Sequence, residues 1–196
     1  MVPNAAGKLG GNENPDLVSL RRDLEQVLAS EIAKNEVALR IEPDGLVISL
    51  REIGFFESGS SSIRETSLST LGRIASFLLE REYRLRIEGH TDDRPIHTSR
   101  FSDNWELSTA RAAEVVRLLI VRYGFPPDRL SAAGFAQYHP IDSNGSAENR
   151  AHNRRVDVVI LRGRAPDHSS SVRATHPARY LPLGTAPITD STPPGH

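Results

Sequence analysis

The sequence contains no cysteine and carries almost no net charge. The absence of cysteine among 196 residues excludes disulfide bridges and metal sites that are built on thiolates. The formal net charge is −1 at pH 7, and no lysine- or arginine-rich block interrupts the balance. A protein whose main partner is nucleic acid would need such a basic block. The composition therefore argues against disulfide scaffolds and against nucleic-acid binding.

Long apolar runs are missing as well. No stretch approaches the roughly 20 apolar residues that a membrane-spanning helix requires. The first residues, Met-Val-Pro-Asn-Ala-Ala-Gly-Lys, do not contain the apolar core of a signal peptide. Taken literally, these two features predict a chain that stays in the cytoplasm.

A strand, a loop and a helix in the middle of the sequence organise the rest. Leu85 and Ile87 alternate with polar neighbours, which predicts a strand, and Gly89 allows the chain to turn where the backbone must approach something closely. Asp103 and Glu106 have the spacing of a capping box, so a helix is expected to begin there. The predicted buried stripe of this helix is Ala112, Val115, Val116 and Leu119.

The loop between this strand and helix offers groups that suit a small zwitterion. Asp92 can accept a hydrogen bond from an ammonium or an amide, and Arg111 can fork onto a carboxylate. Free backbone N–H groups at the helix start add a preference for negative charge. The alternative is that Asp92 and Arg111 pair with each other across the loop. Spacing alone favours that alternative, because surface ion pairs are common and contribute little.

Several ordered motifs resemble those of OmpA-like peptidoglycan-binding domains. Gly-His-Thr-Asp at 89–92 and Asn-x-x-Leu-Ser-x-x-Arg-Ala at 104–112 are similar to the core motif of that family. Arg-x-x-Asn-Arg-Arg-Val at 150–156 resembles an element near the end of the domain. Phe-Phe-Glu-Ser-Gly-Ser at 55–60 and the Asn-Trp-Glu-Leu-Ser start of the helix resemble the subfamily of the flagellar stator subunit MotB. The likeness covers about residues 36–162.

The resemblance implies a noncovalent anchor that recognises a diaminopimelate-type stem peptide of peptidoglycan. By this likeness, Asp92 would hold the amino-acid backbone or amine and Arg111 the carboxylate. Arg154, with Asn153, would support the binding loop. The binding residues that the resemblance implies are Thr91, Asp92, Asn104, Leu107, Arg111 and Arg154. Arg111→Ala is then predicted to abolish binding to cell-wall sacculi while leaving the circular-dichroism spectrum intact.

The resemblance also implies a wider role. The chain would be the periplasmic part of a flagellar stator subunit that fixes an ion-driven motor to the cell wall. Its partners would be a stator A subunit, the flagellar basal body and a second copy of itself, and a membrane helix preceding this fragment would tether it to the inner membrane. No enzyme activity and no cofactor are expected. The alternatives are another OmpA- or Pal-like envelope anchor without a motor role and a metal-dependent wall hydrolase.

Four segments follow one another along the chain. Residues 1–13 are predicted to be a flexible linker, 14–34 an amphipathic linker helix, 35–162 the binding domain and 163–196 a proline-rich disordered tail. Alternating strands and helices predict an α+β fold, a two-layer sandwich in which the helices pack on one mixed sheet. The amphipathic helix has two possible roles: it docks on its own domain, or it pairs with a second copy or lies on the membrane.

Two further signals in the loop have both a functional and a structural interpretation. Four possible metal ligands occur there: His90, Asp92, Asp93 and His97. Because a loop containing Arg94 and Pro95 is a poor rigid cage, no metal is expected, and His90 is predicted to bond to the backbone. Trp105 could stack on a sugar, but packing as a staple under the loop is favoured.

Overall fold

Helices and strands alternate along residues 15–164, which are the part of the chain that the computed structural model describes. The helices are α1 (Pro15–Val27), α2 (Ala29–Ala33), α3 (Glu52–Phe55), α4 (Leu68–Leu79), α5 (Asn104–Val121) and α6 (Ala147–Asn153). The strands are β1 (Val37–Glu42), β2 (Gly45–Arg51), β3 (Tyr83–His90), β4 (Leu130–Gly134) and β5 (Arg155–Arg164). Short 3₁₀ turns at Glu65–Ser67 and Pro127–Arg129 precede α4 and β4.

The five strands form one mixed sheet in the order β1-β2-β5-β3-β4. The β3–β4 pair is parallel, and the other neighbouring strands are antiparallel. The predicted hairpin near the start of the domain is the β1–β2 pair. The fold prediction is therefore confirmed: helices pack on one mixed sheet.

The two faces of the sheet differ in chemistry because side chains alternate along each strand. One face carries the apolar residues that form the core with the helices, among them Leu46, Ile48, Ile87, Val158 and Ile160. The other face carries polar residues, among them Ser49, Glu88, His90, Arg155 and Asp157. Several of these polar side chains are nevertheless buried, which places a network of charges on the face opposite the core.

The leucine stripe of α1 packs into the core of the domain. Its buried members are Leu17, Leu20 and Leu24, and Leu28 continues the stripe after the helix. The helix predicted over 14–34 is divided at Leu28 into α1 and α2. Docking on the same domain is thus the arrangement in the structure. Pairing with a second copy through these leucines would require α1 to leave the core.

The end of the domain extends beyond its predicted limit. Strand β5 continues to Arg164, so the first two residues of the segment expected as a tail belong to the sheet. The rest of that predicted tail and the predicted linker 1–13 lie outside the described residues. Among the helices between residues 15 and 164, none is both long and apolar enough to cross a bilayer.

Gly89 allows α5 to lie very close to the sheet. A Cβ atom at Gly89 would be 1.9 Å from the carbonyl oxygen of Ser108 in α5. Gly134, its partner on the parallel strand β4, would place a Cβ 2.2 Å from Thr109 Oγ1. The close approach expected at Gly89 is present, but the turn is not, since β3 continues to His90. These two glycines fix how closely the first half of α5 packs on the sheet.

Candidate functional site

A pocket of about 350 Å³ opens between the end of β3 and the start of α5. All six residues predicted to bind line it: Thr91, Asp92, Asn104, Leu107, Arg111 and Arg154. It is also lined by residues outside the predicted binding set: Glu52, Ser58, Gly59, Arg94, Pro95 and Ile96. The structure therefore brings the whole predicted set together in one concave site of a size that suits a small ligand group.

The capping box fixes the start of α5 at the pocket. Asp103 Oδ1 accepts from the backbone N–H of Glu106 at 2.9 Å, as the spacing predicted. In the reciprocal bond the N–H of Ser102 donates to Glu106 Oε2, one residue earlier than in the standard motif. From this start, one face of the helix presents the pocket residues at spacings of three and four: Asn104, Leu107 and Arg111.

Arg111 is fully buried, with most of its guanidinium already bonded. Its Nη2 lies 2.6 Å from Glu52 Oε2, and its Nε donates to the carbonyl of Ser60 at 2.8 Å. Burial lowers the pKa of Arg111, and the Glu52 carboxylate offsets part of that effect. Within residues 15–164, Nη1 has no hydrogen-bond partner. Arg111 was expected to bind a ligand carboxylate with two parallel hydrogen bonds. Its Nε and Nη2 are instead bonded to the protein, and Nη1 is the nitrogen left to donate to a ligand.

Asp92 is also buried, and it pairs with Arg154 rather than with Arg111. Its Oδ2 lies 2.7 Å from Arg154 Nη1, and its Oδ1 accepts from the backbone N–H of Arg94 at 3.1 Å. Arg154 Nε lies 3.0 Å from Glu52 Oε1. The alternative in which Asp92 and Arg111 pair directly is therefore wrong. Instead Arg111, Glu52, Arg154 and Asp92 form a series of alternating charges, called the charge chain below.

The charge chain is balanced, with two guanidinium groups and two carboxylates. Burial acts to lower the pKa of Arg154, but the hydrogen bond that Arg154 donates to Asp92 and the charge of Glu52 raise it above the ordinary value. Each charge held away from water thus has an opposite partner, as a low-dielectric site requires. A ligand group that adds one positive and one negative charge keeps this balance, whereas a ligand of a single charge does not.

Asn104 and Thr91 hold the loop above the pocket. The Asn104 amide donates to the carbonyls of Asp92 at 3.3 Å and Arg94 at 3.0 Å, and to Gln137 Oε1 at 3.3 Å. Thr91 Oγ1 donates to the carbonyl of Asp92 at 2.8 Å. Both residues therefore shape the loop, and their donors are directed at groups of the protein itself.

Glu52 is the main pocket residue that the sequence analysis missed. It begins α3, a single turn that was not predicted, and it bonds to both Arg111 and Arg154. No local periodicity marks this role, because its partners lie 59 and 102 positions away. The available signal was indirect: an arginine on the buried side of a helix needs an acid nearby.

Asn153 was expected to support the binding loop together with Arg154, and this expectation is wrong. It is fully buried, and its Oδ1 accepts from the backbone N–H groups of Ile141 and Asp142 at 2.9 and 3.1 Å. Its Nδ2 donates to Asp142 O at 2.8 Å and to Asn144 Oδ1 at 2.9 Å. Asn153 therefore fixes the loop before α6. Of these two neighbours, Arg154 is the one that lines the pocket.

His90 lies on the opposite face of the sheet from the core, and its ring makes no hydrogen bond to the backbone of residues 15–164. Its ring is 2% exposed and stacks on Phe135, with centroids 5.4 Å apart. Neither ring nitrogen has a hydrogen-bond partner among the described residues. The prediction that His90 bonds to the backbone is therefore wrong.

The side chains that could bind a metal ion in the structure are not the four loop residues considered in the sequence analysis. Glu88, His90 and Asp157 place one ligand atom each within 4.8 Å of one another. Both carboxylates already pair with guanidinium groups: Arg86 bonds to Glu88, and Arg155 Nε lies 2.9 Å from Asp157 Oδ2. Such neighbouring cations oppose the binding of a divalent ion. This cluster is best described as an ion-pair network.

Trp105 does not pack under the loop. It is 47% exposed and stacks on Tyr138, with ring centroids 5.5 Å apart and planes inclined by 29°. The favoured interpretation of Trp105 as a staple is therefore wrong, and the pair forms an exposed aromatic surface.

Comparisons with known proteins agree with the motifs. A family model described as the OmpA family matches residues 55–154. Motility protein B of Bacillus subtilis (strain 168) is 34% identical over 150 residues, which are 76% of this chain and 58% of that protein. The chain thus spans less than two thirds of the length of this relative.

Two solved structures are similar over most of the described fold. One is the cell wall anchor of the T6SS from Pseudomonas aeruginosa, with a TM-score of 0.65 and 38% identity, covering 70% of this chain and 96% of that chain. The other is a periplasmic domain of Helicobacter pylori MotB, with a TM-score of 0.59 and 30% identity, covering 64% of this chain and 81% of that chain.

Proposed function

Because the chain belongs to the OmpA family, we propose that it is a noncovalent peptidoglycan-binding anchor whose pocket takes the diaminopimelate-type stem peptide. The observation that carries this proposal is that Arg111, whose Nη1 has no hydrogen-bond partner among residues 15–164, lines the same pocket as Asp92. One group is a buried donor with positive charge, and the other is an acceptor with negative charge. Together they match the carboxylate and the ammonium of an amino-acid end.

The proposed binding mode uses the hydrogen-bond donor and acceptor sites that the charge chain leaves unpaired. A ligand carboxylate accepts from Arg111 Nη1, and the ligand ammonium donates to a remaining lone pair of Asp92, whose oxygens can each accept more than one hydrogen bond. Diaminopimelate carries both groups on one carbon at the end of its side chain, so a single pocket can hold both. Leu107 supplies an apolar wall, and Asn104 keeps the loop in place.

Free ligands test the proposal without altering the protein. Free meso-diaminopimelate is expected to displace the 196-residue chain from purified sacculi. Nα-acetyl-lysine amide keeps the side-chain amine, but both of its α groups are blocked, so it has no free carboxylate and is expected to compete far less well. Equal competition by the two compounds would contradict the role of Arg111.

Asp92→Asn tests the same site from the protein side. It keeps the shape of the side chain but removes the charge that pairs with an ammonium. Charge-assisted hydrogen bonds contribute about 1.5–3 kcal/mol, so sacculus binding is expected to weaken at least about tenfold. Asp93→Asn is the matched control, because Asp93 is exposed and does not line the pocket. Thermal unfolding of both variants shows whether the fold is retained; normal binding by a folded Asp92→Asn would overturn the proposal.

The wider role that we propose is that of the periplasmic part of a flagellar stator subunit. The likeness to Motility protein B and to the periplasmic MotB domain supports it. In this role a membrane segment outside the sequence tethers the chain to the inner membrane, a stator A subunit carries ions, and the protein is a homodimer. Wall binding then gives the motor a fixed point against which to exert force.

A second candidate role is an envelope anchor that serves a different machine. The similarity to the cell wall anchor of the T6SS favours it. Deleting the gene separates the two roles: loss of swimming with normal flagella supports the stator, and normal swimming supports the other anchor. The rival wall hydrolase predicts dye release from labelled sacculi, which an anchor does not cause.

A further inference from the structure

Two aromatic rings stack on each other at the surface beside the pocket. Trp105 is 47% exposed and Tyr138 is 62% exposed, and their centroids are 5.5 Å apart. Among the large hydrophobic residues exposed between 15 and 164, these two are the aromatic ones. Contiguous exposed apolar surface is a common mark of a binding site. We call the pair the aromatic shelf.

The aromatic shelf is attached to the pocket at both of its rings. Trp105 directly follows Asn104, whose side chain lines the pocket. Tyr138 directly follows Gln137, whose Oε1 accepts from that same Asn104 amide at 3.3 Å. One pocket residue therefore positions both ring-bearing segments.

A second set of bonds makes the shelf rigid. The turn before Tyr138 passes through Ala136, which is fully buried and has a φ of 48°. Its N–H donates to Ser108 Oγ of α5 at 3.1 Å, and its carbonyl accepts from the N–H of Thr91 at 2.9 Å. The helix, the pocket loop and the turn are thus tied together. A preorganised surface of this kind binds without a large ordering cost.

Trp105 also lines a shallow groove of about 570 Å³ along α5. Small side chains contribute to the groove (Thr109, Ala110 and Ala113), and so do one basic and one acidic residue, Arg100 and Glu106. A ring-shaped ligand can lie flat on such small side chains, while a guanidinium can donate to its hydroxyl or acetamido oxygens.

We propose that the aromatic shelf and this groove contact the glycan strand of peptidoglycan, with an N-acetylated sugar ring packed against Trp105. The inference rests on the proposed function, because the stem peptide is covalently joined to a sugar. With the third peptide residue in the pocket, about two extended residues of about 3.5 Å each, plus the lactyl link, separate the pocket from the sugar. Asn104 and Trp105 are adjacent, so the shelf lies within that reach. The C–H face of a pyranose matches an aromatic ring whose edge stays in water.

The test compares two probes that carry the same tripeptide and the same charges on it. One is a purified disaccharide-tripeptide fragment of peptidoglycan, and the other is the synthetic tripeptide with an acetyl group on its alanine nitrogen in place of the lactyl-linked disaccharide. Wild-type protein is expected to bind the disaccharide-tripeptide about threefold to tenfold more tightly. Trp105→Ala is expected to abolish this difference while leaving the affinity for the tripeptide unchanged. Trp105→Phe is expected to retain part of it.

The chain contains a single tryptophan, so intrinsic fluorescence reports on the shelf directly. The disaccharide-tripeptide is expected to shift the emission of Trp105, and the tripeptide alone is expected to leave it almost unchanged. Val121→Ala is the matched control, since Val121 is 74% exposed at the other end of the same helix. It is expected to bind both probes normally.

The outcomes separate this inference from the proposed function. If wild-type protein binds the two probes equally, or if Trp105→Ala weakens both equally, the sugar contact is refuted while the peptide site stands. If a binding partner other than peptidoglycan is lost in Trp105→Ala while the probes still differ by the wild-type factor, the shelf serves that partner and the inference is wrong. If neither probe binds wild-type protein, the proposed function fails and the inference fails with it.

Discussion

Glu52 Oε2 lies 2.6 Å from Arg111 Nη2, across 59 positions of the chain, and both residues are buried. Glu52 also bonds to Arg154, so one carboxylate compensates two guanidinium groups. A buried charge without a partner is strongly destabilising. This changes what the loss of Arg111 means: Arg111→Ala removes a ligand contact and also a buried ion pair. The expectation that this variant keeps an intact circular-dichroism spectrum is therefore replaced by an expected loss of stability.

Glu52→Gln is predicted to destabilise the domain by about 3–5 kcal/mol, because it leaves Arg111 and Arg154 without their shared counter-charge. Urea unfolding at pH 7 measures the change. Glu57→Gln is the control: its carboxylate makes an exposed pair with Arg64 at 3.3 Å, so the expected cost is at most about 1 kcal/mol.

The double variant Glu52→Gln/Arg111→Met separates stability from binding. Replacing both members of a buried pair costs less than removing one, so the double variant is expected to be more stable than Glu52→Gln. It should still fail to bind sacculi, since Nη1 of Arg111 is gone. A double variant that is less stable than the single one would show that the pair is not the source of the effect.

His90 is predicted to make stability depend on pH below about 6.5. Burial lowers the pKa of His90, although Glu88 and Asp157, 3.8 and 3.6 Å from Nε2, offset part of this and Arg155 adds to it. Just below pH 6.5 the unfolded chain therefore holds more protons than the folded one. The free energy of unfolding is therefore not reduced by His90 above that pH. It falls as the pH drops toward the pKa that His90 has in the folded protein.

His90→Phe removes this titration and is expected to be tolerated, because the ring nitrogens make no hydrogen bond within residues 15–164 and Phe can keep the stack on Phe135. Unfolding in urea at about pH 7.5 and about pH 5.5 should show a smaller loss for the variant than for wild-type protein. His97→Gln, at an exposed position, should leave the loss unchanged. An identical pH dependence in His90→Phe would assign the effect to other groups.

Gly89→Ala is predicted to lower both stability and binding. The new Cβ would meet the backbone carbonyl of Ser108 at 1.9 Å, so α5 must shift, at a cost of about 1–3 kcal/mol. That shift moves the start of α5, which carries three of the pocket residues. Gly124→Ala is the control: a positive φ of 69° makes it cost about 1–2 kcal/mol, but no atom of the described residues lies within 4 Å of the new methyl group. If both variants lower the unfolding temperature by similar amounts and only Gly89→Ala loses sacculus binding, the close packing of α5 on Gly89 is needed for binding.

Short-range rules predicted the elements that frame the pocket. Alternation in β3, the capping box at Asp103 and the 3.6-residue stripe of α5 each depend on neighbours in sequence, and the structure has all three. The binding set Thr91 to Arg154 came from resemblance, and the geometry shows those residues in one pocket. What they bind remains our proposal.

Long-range charge pairing was the part that sequence did not indicate. The guanidinium of Arg111 was predicted to be free for a ligand, because its acidic partner, Glu52, is distant in sequence. The fold brings the two side chains together. His90 shows a signal that was available: alternation along β3 places it on the same face as Arg86 and Glu88, away from the pocket loop. Trp105 was expected to pack under the loop, but it is exposed and stacks on Tyr138, a partner 33 positions away that no local pattern indicates.

The leucines of α1 provide the last prediction, because their burial decides what the amphipathic helix does. Leu24 is fully buried in the core of the same chain, so Leu24→Ala is expected to cost about 2–5 kcal/mol of unfolding free energy. Arg21→Ala is the control on the exposed side of α1, where an ion pair with Glu25 at 2.7 Å contributes little. If the helix docks on its own domain, Leu24→Ala lowers the urea midpoint and leaves the sedimentation coefficient of the folded protein unchanged. If it pairs with a second copy, the same variant dissociates an oligomer with little change in the stability of the domain, and the docked arrangement is then wrong for the protein in solution.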